Sequence, residues 1–273
     1  MTARYVVFGN PIAHSLSPQI HTYFAQLCKQ DMVYERVLVP EGEFASLASK
    51  MFSESLCGCN ITVPCKLDAY NFANTLTDYA KAAKAVNTLK RLEDGTILGD
   101  NTDGRGLLAD LERLGCEFHG KRILIVGAGG AARGIILPLI EKNPEFLDIV
   151  NRNEMKAFEL AKEHSGARVV LYSSLKPQYD IIINATSASL QGMLPPIADE
   201  VLGASDFVYD LMYKSDGKTA FVSKALALGV KHCHDGFGML LGQAALSFEL
   251  WRGVRPDLAK TYQEFVKRCG RDA

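Results

Sequence analysis

The chain has 273 residues, of which 48% are hydrophobic and 22% are charged, and its formal net charge is −1. This length suits two domains, and the near-neutral charge offers no basic surface for nucleic acid or an anionic membrane. No apolar run is long enough to span a bilayer and no signal peptide is recognisable, so the sequence predicts a cytoplasmic protein.

The seven cysteines are scattered and contain no C-x-x-C pair, which argues against a disulfide framework in a chain of this length. Cysteines cluster at 57–65, and a His-Cys-His group occupies 232–234. Neither spacing matches a known zinc-ligand pattern, and a buried free cysteine usually behaves as a small hydrophobe. The sequence therefore predicts no metal site.

Strands and helices alternate over the first hundred residues. The hydrophobic pattern predicts strands at 5–9, 33–39 and 59–63 and helices at 17–29, 42–52 and 67–83. Ser17 is the expected N-cap of the first helix, because the Pro18 that follows suits a first helical turn. Asp94 and Gly95 form the turn of a predicted hairpin. We expect an α/β domain over residues 1–103.

Lys66 occupies an unusual place in this domain. The strand "CNITV" (59–63) stops at Pro64, since proline cannot donate a hydrogen bond to a strand ladder. Lys66 follows between Cys65 and Leu67, where a turn normally carries a neutral or small residue. An ammonium at the tip of a strand is therefore a candidate functional group.

The second part of the chain has strands that are apolar on both faces. Predicted strands lie at 122–126, 146–150, 168–172, 179–186 and 207–213, with helices at 107–115 and 154–164. Such strands predict a mostly parallel sheet covered by helices, which places the chain in the α/β fold class. The apolar helix "GMLLGQAALSFELW" and a more polar helix after Pro256 end the chain. We expect these C-terminal helices, 239–273, to pack back onto the first domain.

Gly127, Gly129 and Ala132 form a G-x-G-x-x-A pattern directly after the strand at 122–126 and at the start of a helix. The first glycine permits the tight turn, and the second lets a pyrophosphate approach the backbone. The small third residue lets helix and strand pack closely. A glycine turn in an ordinary α/β sheet is the alternative. The order of strand, glycine turn, helix and second strand favours dinucleotide binding.

The next strand predicts which dinucleotide binds. A protein that prefers NAD ends this strand in Asp or Glu, which accepts a hydrogen bond from the ribose 2′-hydroxyl. This chain has Asn151 instead, followed by Arg152, whose planar guanidinium suits a 2′-phosphate, and by Lys156 one helical turn later. The alternative for Arg152 is a solvated surface side chain, and Glu154 lies near. The sequence favours NADP as the cofactor.

Polar side chains gather after the strands of the first domain. Ser15 and Ser17 follow the first strand, Asn87 and Thr88 open the hairpin, and residues 101–103 supply two amide or hydroxyl groups and a carboxylate. Such groups bind a polyol or a small carboxylate. The alternative is that Ser17 merely caps the helix at 17–29 and that Asp103 merely caps the helix at 104–114. Their place at successive strand ends favours a ligand site.

The chain resembles the shikimate dehydrogenase family over nearly its whole length. The stretches that carry the resemblance are "GNPIAHSLSPQIH", "GCNITVPCK", "AVNTL", "GDNTDGRG", "GAGGAA", "NATS", "YDLMY" and "DGFGMLLGQAALSFELWRG". The resemblance implies reduction of 3-dehydroshikimate to shikimate with NADPH, on the pathway to aromatic amino acids. It also implies an N-terminal α/β substrate domain (1–103, completed by 239–273) and a Rossmann-like NADP-binding domain (104–238).

The resemblance also implies roles for individual residues. Lys66 and Asp103 would form the catalytic acid–base pair. The residues implied to hold the substrate are Ser15, Ser17, Thr62, Asn87, Tyr213 and Gln243. The residues implied to hold the cofactor are Gly127, Ala128, Gly129, Gly130, Ala131, Ala132, Asn151, Arg152, Lys156 and Gly236.

The chain departs from the family pattern at three places. Cys65 replaces the phenylalanine usual before the lysine, Asn153 and Lys156 replace a threonine and an arginine, and Ser189 stands where glycine is common. Lysine is a point charge rather than a fork, so Lys156 weakens the expected grip on a 2′-phosphate. We also expect Cys65 to be a target of alkylating reagents beside the substrate.

Two other functions stay open at this point. A quinate/shikimate dehydrogenase that uses NAD fits if Glu154 selects the unphosphorylated ribose. A cofactor-sensing relative without turnover shares the fold, but Lys66 and Asp103 argue against it, because a sensor needs no proton donor. The expected partner is a small-molecule substrate, with no nucleic acid and no membrane. The expected assembly is a monomer or a homodimer.

Overall fold

A computed structural model describes residues 2–271, apart from the side chain of Leu190. The chain divides into two compact units, Met1–Gly106 with Leu241–Leu258 and Leu107–Leu240 with Ala259–Ala273. Each unit contains one six-stranded sheet. In the part of the chain that the structure describes, no helix is long and apolar enough to cross a membrane.

The sheet of the first unit mixes parallel and antiparallel pairs. Its strands are β1 (Ala3–Gly9), β2 (Met32–Leu38), β3 (Leu56–Ile61), β4 (Thr75–Leu76), β5 (Thr88–Arg91) and β6 (Ile97–Asp100). The strand order is β2-β1-β3-β5-β6-β4; β5 runs antiparallel to both neighbours and the other pairs are parallel. The carboxyl ends of β1, β3 and β6 therefore share one edge with the amino end of β5. The β5–β6 pair confirms the predicted hairpin.

The helices surround both sheets. In chain order they are α1 (Ser17–Leu27), α2 (Phe44–Glu54), α3 (Lys66–Phe72), α4 (Asp78–Ala83), α5 (Asp103–Arg113), α6 (Gly130–Ile140), α7 (Glu154–Glu163), α8 (Asp199–Gly203), α9 (Ala220–Ala227), α10 (Phe237–Arg252) and α11 (Leu258–Arg268). In the first unit, Val6 and Phe8 of β1 pack against α2 on one face of the sheet. On the opposite face, Tyr5 stacks on Trp251 of α10 with ring centroids 4.7 Å apart. Because successive side chains of a strand lie on opposite faces, β1 supplies both cores.

The single helix predicted over 67–83 is two helices in the structure. α3 ends at Phe72, β4 follows, and α4 begins at Asp78. Thr77 caps α4, because its Oγ1 accepts a hydrogen bond from Ala80 N at 3.2 Å. Threonine followed by aspartate is a helix-start signal that the hydrophobic periodicity concealed.

The sheet of the second unit is parallel at every described pair. Its strands are β7 (Arg122–Val126), β8 (Phe146–Val150), β9 (Ala167–Val169), β10 (Ile181–Asn184), β11 (Phe207–Asp210) and β12 (His232–Asp235), in the order β12-β11-β10-β7-β8-β9. Ile123 and Ile125 of β7 pack into one core, and Leu124 and Val126 pack into the core on the other face. Burial on both faces explains why these strands are continuous apolar runs, and it confirms the α/β class.

β12 and α9 were not predicted from the sequence. β12 is the edge strand "HCHD", whose polar residues form no apolar run, and it pairs with β11. α9 begins after Thr219, whose Oγ1 accepts a hydrogen bond from Val222 N at 3.2 Å.

Among the described residues, no three His, Cys, Asp or Glu side chains are grouped so that they could hold a metal ion.

The two C-terminal helices group with different units, whereas the sequence predicted that both, 239–273, complete the first domain. Leu241–Leu258 belongs to the first unit, but α11 groups with the second. In the second unit, Arg271 Nη2 lies 2.6 Å from Asp235 Oδ1, and both side chains are buried. This ion pair joins residues that are far apart in the chain, so no local pattern reveals it.

His21 of α1 is a fully buried titratable group. Its ring stacks on the Tyr34 ring with centroids 4.3 Å apart and an interplanar angle of 6°. Burial lowers the pKa of His21 to about 3, so the folded protein keeps this imidazole neutral. The unfolded chain protonates it near the ordinary pKa of about 6.5. The unfolded state therefore binds more protons between these two values, and stability falls as the pH is lowered through that range.

We predict that the native protein loses about 1.4 kcal/mol of unfolding free energy per pH unit below pH 6, relative to the His21→Phe variant. Phenylalanine keeps an aromatic ring against Tyr34 and does not titrate. Urea unfolding of both proteins at pH 7, 6 and 5 measures the difference, in which the other titrating groups cancel. A difference that stays constant with pH would contradict the prediction.

Cys65 is buried, which corrects the expectation that it is a target of alkylation. Cys65 is 3% exposed and lies in the same core as Ile61 and Ala69. Burial, followed by the nearby Asp68 carboxylate, raises the pKa of the thiol. Because the thiolate is the nucleophile, both effects lower its reactivity.

We expect N-ethylmaleimide to label Cys57 well before Cys65 in the folded protein, because Cys57 is partly exposed. Peptide mapping by mass spectrometry at successive times measures the two rates. In urea both thiols should react at similar rates, which serves as the control. Equal rates in the folded protein would show that Cys65 is accessible.

Candidate active site

Lys66 is placed by a turn that follows β3. β3 ends at Ile61, Thr62 N donates to Phe8 O at 2.9 Å, and Cys65 N closes the turn on Thr62 O at 3.0 Å. Lys66 then begins α3. Cys65 is buried in the core, whereas the side chain of the next residue, Lys66, extends out of the core and is 32% exposed.

The Lys66 ammonium contacts the Asp103 carboxylate. Nζ lies 2.5 Å from Oδ2, and the Asp103 side chain is 16% exposed, so the pair is shielded yet reaches solvent. Asp103 is the first residue of α5, where the helix dipole favours a negative charge. Its backbone N–H donates to Asn101 Oδ1 at 3.1 Å. The carboxylate of Asp103 therefore binds side chains, which is more than the capping role that the sequence left open.

The buried Asn87 amide orients this carboxylate. Its Oδ1 accepts hydrogen bonds from Thr102 N and Thr88 Oγ1, both at 2.9 Å. A backbone N–H can only donate, so the atom that faces Thr102 N must be Oδ1 and the other amide atom must be Nδ2. Nδ2 donates to Asp103 Oδ1 at 2.8 Å and lies 3.4 Å from Gln243 Oε1.

Gln243 reaches this cluster because two glycines let backbones approach each other. A Cβ on Gly106 of α5 would lie 2.5 Å from Gln243 N, and a Cβ on Gly242 of α10 would lie 2.6 Å from Gly106 O. Any side chain at either position would push the two segments apart. The glycines thus determine how close Gln243 lies to Asn87.

Two serines follow β1 at the same edge of the first sheet. Ser15 Oγ and Ser17 Oγ lie 3.2 Å apart, and Ser17 N donates to Ser15 Oγ at 3.3 Å. The prediction that Ser17 is the N-cap of α1 is wrong, because the helix begins at Ser17 after Leu16, without a side-chain cap. Arg36 donates to Ser15 O through Nη2 at 2.5 Å and Nε at 3.0 Å, which anchors the loop.

The structure brings together most of the residues predicted to act on a substrate. Four are joined by hydrogen bonds, namely Lys66, Asn87, Asp103 and Gln243. Three others follow β1 and β3 at the same edge, namely Ser15, Ser17 and Thr62. Tyr213 belongs to the second unit, where its ring lies 6.1 Å from that of Phe237 and where burial raises the pKa of its hydroxyl.

The predicted glycine turn joins β7 to α6. Gly127 has a φ of +113°, where a side chain would be strained, and a Cβ there would lie 3.0 Å from Thr186 Cγ2. A Cβ on Gly129 or Gly130 would meet nothing within 4 Å, so this side of the turn is open. α6 begins at Gly130 without a side-chain cap, and buried Ala132 packs into the core. The first backbone N–H groups of α6 are therefore suited to bind a pyrophosphate.

Positively charged side chains follow β8, the parallel neighbour of β7. Asn151 Nδ2 donates to Asn153 O at 2.8 Å, and Asn153 Oδ1 accepts from Lys156 N at 3.3 Å as the N-cap of α7. Arg152 and Lys156 are exposed. Both charges lie at the edge of the sheet that carries the glycine turn. Asn153, which replaces the threonine of the family pattern, caps the start of α7.

Gly236 follows β12 at the same edge of the second sheet. A Cβ there would lie 2.1 Å from Leu211 O, and its N–H donates to Met212 O at 3.0 Å. Glycine therefore lets this segment lie against the segment after β11. Ala128 and Ala131 are partly buried against the core of this unit. The predicted cofactor residues thus follow the carboxyl ends of parallel strands, where ligands bind in open α/β sheets.

Sequence reasoning missed a buried hydrogen-bond network beside Asn87. Asn60 is buried, although it is a polar residue of β3. Tyr34 Oη donates to Asn60 Oδ1 at 2.7 Å, and Asn60 Nδ2 donates to Ser247 Oγ at 2.9 Å. Polar residues inside an apolar strand and an apolar helix were the signal that could have revealed both ends of this network.

A second missed network lies under the loops after β10 and β11. Asn184 Nδ2 donates to Asp210 Oδ1 at 3.0 Å and to Ser189 Oγ at 3.1 Å, and its Oδ1 accepts from Thr186 N at 3.1 Å. Thr219 Oγ1 donates to Asp210 Oδ2 at 2.7 Å. Burial raises the pKa of Asp210, and the hydrogen bonds oppose this effect. Ser189, the departure from glycine, is part of this network.

Three family models match the chain. They describe a shikimate dehydrogenase substrate binding domain at 7–89, a shikimate / quinate 5-dehydrogenase at 110–194, and a shikimate 5′-dehydrogenase C-terminal domain at 236–264. Together they span both units and most of the residues described above.

The chain is also similar to individual proteins over nearly its whole length. A Vibrio atlanticus (strain LGP32) protein named shikimate dehydrogenase (NADP(+)) is 48% identical over 267 residues, which are 97% of this chain and 96% of the relative. An Ael1 enzyme from Pseudomonas putida is 43% identical with a TM-score of 0.91, over 96% of this chain and 97% of that chain. Shikimate 5-dehydrogenase from Thermus thermophilus, solved in complex with NADP(H) and shikimate, is 30% identical with a TM-score of 0.87, over 98% of this chain and 99% of that chain. The chain belongs to the shikimate dehydrogenase family.

Proposed function

We propose that this protein catalyses the reversible, NADPH-dependent reduction of 3-dehydroshikimate to shikimate in the biosynthesis of aromatic amino acids. The observation that carries the proposal is the 2.5 Å contact between Lys66 Nζ and Asp103 Oδ2 at the edge of the first sheet. A proton donor and the carboxylate that orients it are the groups that reduction of a ketone requires. Relatives at 46–48% identity are named shikimate dehydrogenase (NADP(+)).

The substrate carries a carboxylate, hydroxyls and a ketone, and the edge of the first sheet offers a partner for each. The adjacent hydroxyls of Ser15 and Ser17, 3.2 Å apart, suit the carboxylate, and Thr62 adds a third hydroxyl. The amides of Asn87 and Gln243 both donate and accept, so they suit the substrate hydroxyls. The role of Tyr213 in substrate binding stays a prediction.

Lys66 performs the proton transfer in this mechanism. NADPH, when bound, would supply the hydride. Lys66 Nζ donates its proton to the ketone oxygen as negative charge develops there. Asp103 holds the ammonium in place through Oδ2, while Asn87 fixes the carboxylate through Oδ1. The exposed part of the Lys66 side chain lets it regain a proton from solvent, and in the reverse reaction it accepts the hydroxyl proton of shikimate.

The second unit fits NADP. The open side of the turn at Gly129 and the uncapped start of α6 suit the pyrophosphate, and Arg152 and Lys156 suit the 2′-phosphate. The use of NAD would require Glu154 to bind the ribose. Glu154 is the first residue of α7, where a carboxylate is favoured by the helix dipole alone. The position of Glu154 therefore needs no ribose to explain it.

Two expectations from the sequence, a cytoplasmic location and a monomeric or homodimeric state, stay predictions. Neither is needed for the roles proposed for Lys66 and Asp103, which rest on contacts within the first unit.

Initial rates with purified protein test the proposal. NADP⁺ and shikimate should produce NADPH, measured by its absorbance, and faster than NAD⁺ or quinate in the same assay. A clear preference for NAD⁺ would favour the quinate/shikimate dehydrogenase alternative. Cofactor binding without turnover of any of these pairs would favour the cofactor-sensing alternative.

We predict that Lys66→Ala lowers kcat by about 100-fold or more, because loss of a positioned acid–base group has an effect of this size. The KM for shikimate should change little. Lys81→Ala is the matched control, since Lys81 forms an exposed ion pair with Asp78 at 3.0 Å in the same unit. Near-normal turnover of Lys66→Ala would remove this lysine from the mechanism.

We predict that Arg152→Ala raises the KM for NADP⁺ about tenfold or more, since a hydrogen bond to a charged group contributes about 1.5–3 kcal/mol. The KM for NAD⁺, which lacks the 2′-phosphate, should stay nearly constant. Arg255→Ala, which removes an exposed arginine of the first unit, serves as the control. Equal effects on the two cofactors would contradict the phosphate contact.

A further inference from the structure

A hydroxyl on α10 connects the side chains that hold Asn87. Ser247 is fully buried one helical turn after Gln243, and its Oγ lies 3.0 Å from Gln243 O. The same oxygen lies 2.7 Å from Thr88 Oγ1 and 3.3 Å from Thr102 Oγ1. One oxygen therefore bridges two threonines that come from different parts of the chain.

These two threonines bind opposite ends of the Asn87 amide. Thr88 Oγ1 donates to Oδ1 at 2.9 Å, and Thr102 Oγ1 accepts from Nδ2 at 2.9 Å. A hydroxyl has a single proton, so Thr88, having donated to Asn87, can only accept from its other neighbours. Any shift of either threonine changes the direction in which Nδ2 meets the Asp103 carboxylate.

Asn60 fixes Ser247 from the opposite side. Tyr34 Oη donates to Asn60 Oδ1 at 2.7 Å, which directs Asn60 Nδ2 toward Ser247 Oγ at 2.9 Å and Thr88 Oγ1 at 3.2 Å. Ser247 thus accepts from Asn60, and because Thr88 can only accept, the Ser247 proton is directed to Thr88 Oγ1. Both the place and the hydrogen-bond direction of its hydroxyl are determined by buried partners.

We propose that Ser247 is a positioning residue for the Lys66–Asp103 pair. Its hydroxyl keeps the two threonines in the arrangement that aims Asn87 Nδ2 at the carboxylate. The proposal rests on the proposed function, because only there do Lys66 and Asp103 act on a substrate. It assigns a role to a helix residue whose side chain is separated from the ammonium by intervening side chains.

The first test compares Ser247→Ala with Ser205→Ala. Ser205 is also buried, lies in the second unit, and donates to Leu202 O of its own segment at 2.7 Å. Ser247→Ala should lower kcat about tenfold, because small misplacements of catalytic groups have effects of this order or larger. The KM for NADP⁺ should not change, and Ser205→Ala should leave kcat unchanged. An unchanged kcat in Ser247→Ala, or an equal loss in Ser205→Ala, would overturn the proposal.

A double-mutant cycle separates positioning from a general loss of structure. With Asn87→Ala already present, Ser247→Ala should change kcat less than about twofold, since the threonines then have no amide to aim. Ser247→Thr, which keeps the hydroxyl, should recover most of the activity that Ser247→Ala loses. The same tenfold loss in the Asn87→Ala background would mean that Ser247 does not act through Asn87.

A readout independent of turnover distinguishes this proposal from the proposed function. The side-chain amide protons of Asn87, assigned in NMR spectra by their loss in Asn87→Ala, should exchange faster with solvent in Ser247→Ala and not in Ser205→Ala. If the native protein fails to oxidise shikimate but this result holds, the proposed function fails and the positioning of Asn87 stands. If shikimate is oxidised and the Asn87 signals are identical in Ser247→Ala, the positioning proposal is wrong.

Discussion

The Asn87 amide can adopt only one orientation, because the backbone N–H of Thr102 occupies its oxygen side. Its NH₂ group must then meet Asp103 Oδ1, which leaves Oδ2 for the Lys66 ammonium. Each group in the series restricts the next. Groups held in this way need no reorganisation when charge develops on a substrate, and such preorganisation is a large part of electrostatic catalysis.

The same arrangement recurs in the second unit. Asn184 accepts the backbone N–H of Thr186 and donates to the buried Asp210 carboxylate, as Asn87 accepts from Thr102 and donates to Asp103. In both places a backbone N–H fixes the oxygen of a buried side-chain amide, and the NH₂ group of that amide then donates to a carboxylate. The partners of Asp210 are hydroxyls, an amide and a backbone N–H, so this carboxylate shapes the surrounding loops. Asp103 has a lysine partner, and this difference separates a structural carboxylate from a proposed catalytic one.

Local sequence signals predicted the parts of the protein that depend on local geometry. Proline cannot donate a hydrogen bond to a strand ladder, so Pro64 showed in the sequence that Lys66 follows the end of a strand, although β3 already ends at Ile61. The turn at Gly127 needs a positive φ that glycine tolerates best. The burial of Cys65 was not visible, because whether a residue after a strand faces the core depends on a turn of a few residues. The grouping of α11 with the second unit accompanies long-range contacts such as the ion pair of Arg271, which no periodicity encodes.

Long-range hydrogen bonds were the least predictable part of the site. Asn60 and Ser247 are 187 residues apart, and each alone resembles an isolated polar residue in an apolar segment. Burying a polar group is unfavourable unless it finds a partner, so such residues indicate that partners exist without naming them. Only the fold shows that the two polar residues satisfy each other.

The contact of Gly106 with the backbone at Gly242 and Gln243 also limits how this chain can vary. Every other amino acid adds at least one carbon at a place where main-chain atoms already touch. Any substitution at Gly106 or Gly242 would therefore displace one of the two helices, unless another change in the chain made room for the added side chain. The location of the Gln243 amide is thereby protected by the main chain itself.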